Sequence, residues 1–433
     1  MTTKINNEHK KLNVPNKQEQ NQTCLDSVER DGLSPKGNVP NLRFPEFQGE
    51  WEKCRLGDVC TFLSGGTPKI DVKEYWNGTI PFVSAISMHD TYILDSKLHI
   101  SEEGLKHGSR LLTKDNLLLL VRGSMLWNTI PICLNKNDVA FNQDVKGIIA
   151  NDTINNEFLL YWLKSKEQRL KYMVTGTGLG AGKLDTSDLL SMIVYIPAMK
   201  EQDKVARLLS LFDERIATQN KIIEDLKKLK SAIIEKVFNG KHSEKLQLND
   251  VGSYIRGLTY SSNDVVEHGG TLVMRSNNII NGSLLDYNNN VVFVNKQMSA
   301  EQQLQNGDVV ICMANGSSSL VGKSSFYDGS CHSPITVGAF CGIYRSKEPI
   351  VKWLFQTNKY RRYIWNSLQG GNGAIANLNG EDILNMSFSI PNVTIKDTCA
   401  KMLTSVDSAL ENNMSLCALY TLQKQHLLRQ MFI

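Results

Sequence analysis

The stretch LDTSDLLSMIVYIP (residues 184–197) returns 194 residues later as LNGEDILNMSFSIP (378–391). Recurrence at that distance in a chain of 433 residues points to two copies of one domain-sized unit. Upstream, LGDVCTFLSGGTP (56–68) resembles LNDVGSYIRGLTY (248–260) at an offset of 192. Downstream, the 194 offset holds without a gap: Ala206 matches Ala400, Leu209 matches Leu403, Asp213 matches Asp407, Lys230 matches Lys424 and Phe238 matches Phe432. Each half therefore reads as a mixed domain of about 150 residues followed by a helix of about 36.

The helices can be read closely. In the first, Val205, Leu209, Phe212, Ile216, Gln219, Ile223, Leu226, Lys230, Ile233 and Val237 alternate spacings of four and three. In the second, the matching positions are Cys399, Leu403, Val406, Leu410, Asn413, Cys417, Tyr420, Lys424, Leu427 and Met431. A seam this narrow and this long is a coiled-coil seam, so the two helices are expected to pair with each other. Polar residues interrupt both seams at the same levels, Gln219 with Asn413 and Lys230 with Lys424. Buried polar positions of this kind can set register. In an antiparallel pair with aligned centres, Gln219 and Asn413 fall about one layer apart and can hydrogen-bond.

The regions before the helices read as strands with some helix. TIPFVSAISM (79–88), NLLLLVRGS (116–124) and VKGIIA (145–150) are strand-like in the first half. GTLVMRSNNI (270–279), GDVVICMANGS (307–317) and VGAFCGIYR (337–345) are their counterparts. Residues 156–173 and 349–368 read as helices. The expected fold class is α+β: two similar mixed α/β domains separated by two long helices that pair as an antiparallel coiled coil, with pseudo-two-fold symmetry. Residues 1–40 are rich in Asn, Lys and Gln with no clear period, and are expected to form a mobile arm.

Composition narrows the function. The apolar fraction of 41% and charged fraction of 21% suit a soluble globular protein. No apolar run approaches the roughly 20 residues that span a bilayer, and the start of the chain has no signal-peptide core. An intracellular protein is expected, with its nine scattered cysteines reduced. A net charge of +4 neither requires nor excludes nucleic acid, because local patches decide.

VTGTGLGAGK (174–183) resembles a phosphate-binding loop, but the resemblance fails. A Walker loop needs glycine where Thr177 stands and a hydroxyl where Leu184 stands. Gly176, Gly178 and Ala181 fit a dinucleotide fingerprint only in spacing, because the context is helix, loop, strand. The eight histidines show no metal-ligand spacing, and no serine elbow occurs. No catalytic residues and no metal site are therefore expected.

The polar decoration is more informative. Lys164, Lys166, Arg169 and Lys171 face a single Glu167 on the first domain's last helix. Lys359, Arg361 and Arg362 alternate with Tyr360, Tyr363 and Trp365 on its repeat. Cations interleaved with aromatics suit a nucleic-acid backbone. Lys171, Lys183, Lys323, Arg361 and Arg362 are the phosphate candidates. Strand ends and loops carry side chains able to read base edges. The candidates are Ser64, Thr67, Lys69, Arg122, Ser124, Asn142 and Gln143 in the first half, and Arg256, Tyr260, Arg275, Asn277, Asn315 and Ser317 in the second. Many of these types also serve as ordinary turn residues.

WEKCRLGDV (51–59), YIPAMKEQDKVARLLSLFDERI (195–216) and the helix ending AIIEKVFNGK, set in this repeated order, resemble the specificity subunit of type I restriction–modification systems. The resemblance covers roughly residues 40–433. It implies target recognition domains over 41–197 and 242–391, and coiled-coil helices over 198–241 and 392–433. Each recognition domain would read one half of a split double-stranded DNA target in the bacterial cytoplasm. Two modification (methyltransferase) subunits and two restriction (motor and endonuclease) subunits would supply the chemistry. They would use S-adenosylmethionine, ATP and Mg²⁺, none of which needs a site on this chain. Ile395-Lys396 departs from the family's usual Glu-Gln at the start of the second helix. A helix of about 36 residues is about 54 Å long, or roughly 16 base pairs. A coiled-coil adaptor with two protein-binding heads is the alternative.

Overall fold

The computed structural model describes residues 37–177, 180–239, 244–368 and 376–433. It divides into two compact units. One ends at Asp213 and takes in Leu422–Ile433; the other is Glu214–Thr421. The expected arm falls outside the described residues up to position 36. From there the chain is held, because Asn38 O accepts from Trp51 N at 2.8 Å and Pro40 is buried.

In the first unit, a five-stranded sheet runs Cys60–Ser64, Val145–Ala150, Leu117–Leu120, Ile132–Asn135 and Tyr92–Ile93. Its centre is the all-leucine strand Leu117–Leu120, with every side chain buried. A continuous apolar run fits because both faces are covered. Phe158 to Leu163 of the helix Asn156–Ser165 are all buried, and Asn155 caps that helix by accepting from Glu157 N and Phe158 N. Val205, Ala206 and Leu209 from one long helix, and Met431 and Phe432 just beyond the end of the other, complete the core. The rings of Phe158 and Phe432 lie 5.2 Å apart.

The second unit repeats the plan. Gly252–Arg256, Cys341–Ser346, Val309–Cys312 and Ser324–Phe326 form one sheet. Trp353, Leu354, Phe355 and Tyr360 pack there with Ile234, Val237 and Phe238 of the first long helix and Cys399, Ala400 and Leu403 of the second.

Several elements are shorter than the sequence suggests. The strand expected over 79–88 stops at Val83, and that over 270–279 stops at Met274. A 3₁₀ turn follows in each, Ala85–Ser87 and Ser276–Asn278. The helix expected over 156–173 breaks at Lys166 into Asn156–Ser165 and Glu167–Tyr172. That over 349–368 divides into Val351–Leu354 and Asn358–Leu368, where Thr357 Oγ1 accepts from Tyr360 N at 3.1 Å.

The long helices are Met199–Phe238, with 40 residues, and Val393–Gln430, with 38. Within the second unit Arg215 meets Tyr420, Gln219 Nε2 donates to Asn413 Oδ1, Cys417 meets Asn220, and Lys230 meets Asp407. Numbers rise on one helix as they fall on the other, so the pair is antiparallel. The interrupting lysines are matched to acids. Lys424 Nζ pairs with Asp213 in the first unit, and Lys230 Nζ lies 2.6 Å from Asp407 Oδ1 in the second. Each repeat's lysine thus neutralises the other repeat's aspartate. The domain helices complete both sites: Tyr161 Oη donates to Asp213 at 2.8 Å, and Trp353 Nε1 to Asp407 at 3.0 Å. Lys230 also donates to Gly282 O. A buried ion pair is tolerable only when its remaining lone pairs and protons are satisfied in this way.

The Pro197–Gln202 element anchors the first helix. Arg43 makes a two-pronged ion pair with Glu201 at 2.7 Å on each prong, which Trp51 Nε1 joins at 3.3 Å. Gln202 accepts from Asn155 N and donates to Thr153 O and Pro197 O. Where Ile395-Lys396 departs from this pattern, Lys396 pairs instead with Glu348 at 2.7 Å.

Candidate nucleic-acid interface

In the first unit, candidates gather where strands of the main sheet end. Ser64 closes its strand opposite Lys146, which donates to Ser64 Oγ at 2.6 Å. The chain then turns so tightly that a Cβ on Gly65 would stand 2.2 Å from Phe141 O. Only glycine fits, and Gly257 has the same constraint against Gly338 O in the second unit. Thr67 Oγ1 donates to Gln143 Oε1 at 2.6 Å. Lys69 is exposed, with its carbonyl accepting from Trp76 Nε1. Asn142 turns inward, because its Oδ1 accepts from Asp144 N and its amide donates to the Asp144 carboxylate. That Asx turn positions the loop and accounts for Asn142 as a turn residue.

The glycine-rich segment is a hairpin. Thr175–Gly176 pairs with Gly182–Lys183, which pairs in turn with Arg122–Gly123. Lys183 and Arg122 are therefore cross-strand neighbours on one small sheet. Arg122 is exposed, and Ser124 beside it begins the 3₁₀ turn Ser124–Trp127. Trp127, about half exposed, donates its indole N–H to Gly180 O at 3.0 Å. Lys183 reaches Asp185 at 3.0 Å, and that hydrogen bond lowers the carboxyl below its usual range. Gly178 lies outside the described residues.

In the second unit, Arg256 is exposed at a strand end, with its carbonyl held by Gln302 Nε2. Tyr260 is half-buried against the small core of Leu258, Val273 and Val294. Arg275 precedes the turn Ser276–Asn278, is exposed, and reaches Asn290 O at 3.2 Å. Asn277 is exposed on that turn. Asn315 donates to Ser276 Oγ at 3.3 Å and accepts from Ser317 N, whose hydroxyl meets Ser319. Lys323 and Arg361 line a cleft of about 440 Å³ with Trp365, a residue 66% exposed. Arg362 is exposed on the same helix. The glycine-rich residues 369–375 lie outside the described residues.

The basic-helix reading needs correction. Lys164 turns inward and donates to Thr91 Oγ1 at 2.7 Å; Lys166 donates to Ile433 O at 2.6 Å. Burial pushes both ammonium groups down to about 8. Lys171 is half-buried and paired with Glu167 at 3.0 Å. On the repeat, Tyr360 is buried and donates to Gly322 O, while Lys359 sits over the rings of Tyr363 and Phe388. A helix that packs on a core must point some of its long cations inward, and i to i+3 spacing does not say which.

Sequence reasoning missed Lys146, Trp127 and Asn377. The last stands in the strand Ala376–Asn377, paired with Ala314–Asn315, 194 residues after Lys183. The repeat offset was the signal that could have found it. Among the described residues there is no group of three or more His, Cys, Asp or Glu able to hold a metal ion, and no helix long and apolar enough to cross a membrane.

Comparison with known proteins places this geometry. Residues 48–228 match the type I restriction modification DNA specificity domain. The chain is 30% identical over 174 residues to the EcoR124I/EcoR124II specificity subunit of Escherichia coli, a match covering 40% of this chain and 43% of that protein. It is 32% identical over 197 residues to the MjaVIII specificity subunit of Methanocaldococcus jannaschii, covering 46% of this chain and 43% of the relative. The matches thus span less than half the length of these relatives. The solved S subunit of a type I system from M. genitalium has the same fold, with a TM-score of 0.59 at 16% identity over 91% of this chain and 99% of that one. The first half thus matches a type I restriction modification DNA specificity domain, and the chain shares the fold of a type I S subunit over nine tenths of its length.

Proposed function

We propose that this chain is the non-catalytic subunit that tells a type I restriction–modification complex which DNA sequence to act on. Each unit reads one half of a bipartite double-stranded target. The paired helices set the separation of the halves and dock the modification subunits, and restriction subunits complete the assembly. S-adenosylmethionine, ATP and Mg²⁺ serve those partners, in the bacterial cytoplasm.

One observation carries this reading. Two units of one plan present side chains at matching places, yet the side chains themselves differ. The turn after the strand Ile80–Val83 presents Ser84 and Ile86; its repeat presents Arg275 and Asn277. One scaffold with two surfaces suits a target with two different half-sequences. Arg122, Arg256 and Arg275 are the foremost base-contact residues of the proposal. Arg361 and Arg362, with Lys171 and Lys323 beside them, belong to the phosphate backbone in the same proposal, while Lys183, expected there from the sequence, stands opposite Arg122 and joins the base-contact residues.

The test is duplex binding by the chain assembled with its modification subunits, measured across a salt series. We expect log K to fall linearly with log salt, and one duplex sequence to be held at least a thousandfold more tightly than others at matched salt. Salt-independent binding, or none while the complex is folded, would support an adaptor that binds proteins instead.

A further inference from the structure

The small sheet beside the glycine-rich hairpin has a counterpart in the second unit. In the first, Leu184 N donates to Val121 O at 2.8 Å, which fixes Lys183 opposite Arg122. In the second, Leu378 N donates to Met313 O at 2.8 Å, which fixes Asn377 opposite Ala314. The backbone is the same and the chemistry is inverted. Where the first unit sets two cations side by side, the second sets an exposed amide beside a buried methyl group. The cation has moved to the neighbouring turn. Arg275 stands where the first unit has Ser84, and the sheet touches that turn through Asn315 Nδ2 to Ser276 Oγ at 3.3 Å.

We propose that Asn377 is a specificity-determining residue of the second unit, reading a base edge at the station that Lys183 occupies in the first. The inference rests on the DNA-reading function proposed above. An exposed amide offers a donor and an acceptor together and matches adenine N6 and N7. Lys183 and Arg122 are donors only and match guanine O6 and N7. Their chemistry gives the two units opposite preferences at one structural station. Asn315 lies on the strand paired with that of Asn377 and donates to Ser276 on the turn that carries Arg275 and Asn277, so Asn377 adjoins the residues proposed to read the second half-site.

The experiment maps methylated sites made by the complete complex carrying Asn377→Lys, Asn377→Ala or Lys183→Asn. With Asn377→Lys we expect methylation of the parent target to fall about ten- to a hundredfold, and a guanine-containing sequence to replace it at one position of one half-site. With Asn377→Ala we expect that position to become degenerate, with thermal unfolding unchanged because the side chain is exposed. Lys183→Asn should alter the other half-site alone. An unchanged motif with either Asn377 variant would overturn the proposal. So would a uniform gain in affinity with Asn377→Lys, with the salt slope steeper by about one, which would mark a phosphate position. Failure of the underlying function has a different signature. No motif would depend on the unmodified chain, and the station would fall with the surface that holds it.

Discussion

In the proposed function single side chains decide the reading surface, and they were only partly legible. Arg122 and Arg275 are exposed beside backbone turns, as their loop settings suggest. Replacing Arg275 with alanine should cost about 1–3 kcal/mol of discrimination in one half-site and leave the other intact. Methylation mapping checks this, and equal loss in both halves would mark Arg275 as structural. Lys164 shows why the rest was hidden. Its spacing resembles that of a basic face, but its side chain turns inward to Thr91, near Lys424 and Asp213. Burial holds its ammonium near 8 against an ordinary 10.5. Between those values the unfolded chain holds a proton that the folded chain has lost, so this group makes stability rise with pH through that window. Lys164→Met should therefore stabilise the protein below pH 8 by up to about 3 kcal/mol, less the hydrogen bond to Thr91. The advantage should fade by pH 10.5 in denaturant titrations at fixed pH. An advantage independent of pH would contradict the assigned cause.

At the scale of elements, the long helices were the most legible part, because five heptads of a narrow seam have few other uses. The pairing of Gln219 with Asn413 could be anticipated from antiparallel geometry. The partners of the interrupting lysines could not. Asp213 and Asp407 appear in the sequence only as matched residues of a repeat. Their crossing with Lys424 and Lys230, completed by Tyr161 and Trp353, depends on how helix and domain pack. The same packing breaks the domain helices at Lys166 and Thr357, where a heptad pattern has no say. Asp213→Ala leaves Lys424 buried without its partner and should cost about 3–5 kcal/mol. Replacing both partners, Asp213→Leu with Lys424→Met, should recover most of that loss. Thermal and denaturant unfolding of the three variants decides, and simple additivity would refute a coupled pair.

At the scale of the whole molecule, the repeat made the architecture readable, because one offset aligns two helices and the strands that lead into them. The sequences of the two proposed half-sites stayed illegible. Surface side chains are free of the packing constraints that make a repeat visible, and each type matches more than one base. In the proposed function, helix length sets the gap between half-sites. Removing one heptad from each helix between the two charge pairs shortens each helix by about 10 Å, or roughly three base pairs. The mapped gap should shrink accordingly while both half-sequences persist. An unchanged gap would remove the helices from the measuring role. The most direct measurement comes before any variant: co-expression of this chain with a cognate modification subunit and genome-wide mapping of N6-methyladenine. We expect a motif of two different half-sites with an unread gap, lost when this chain is omitted. A methylation pattern that persists without the chain, or no motif from a folded complex, would contradict DNA specificity as its function.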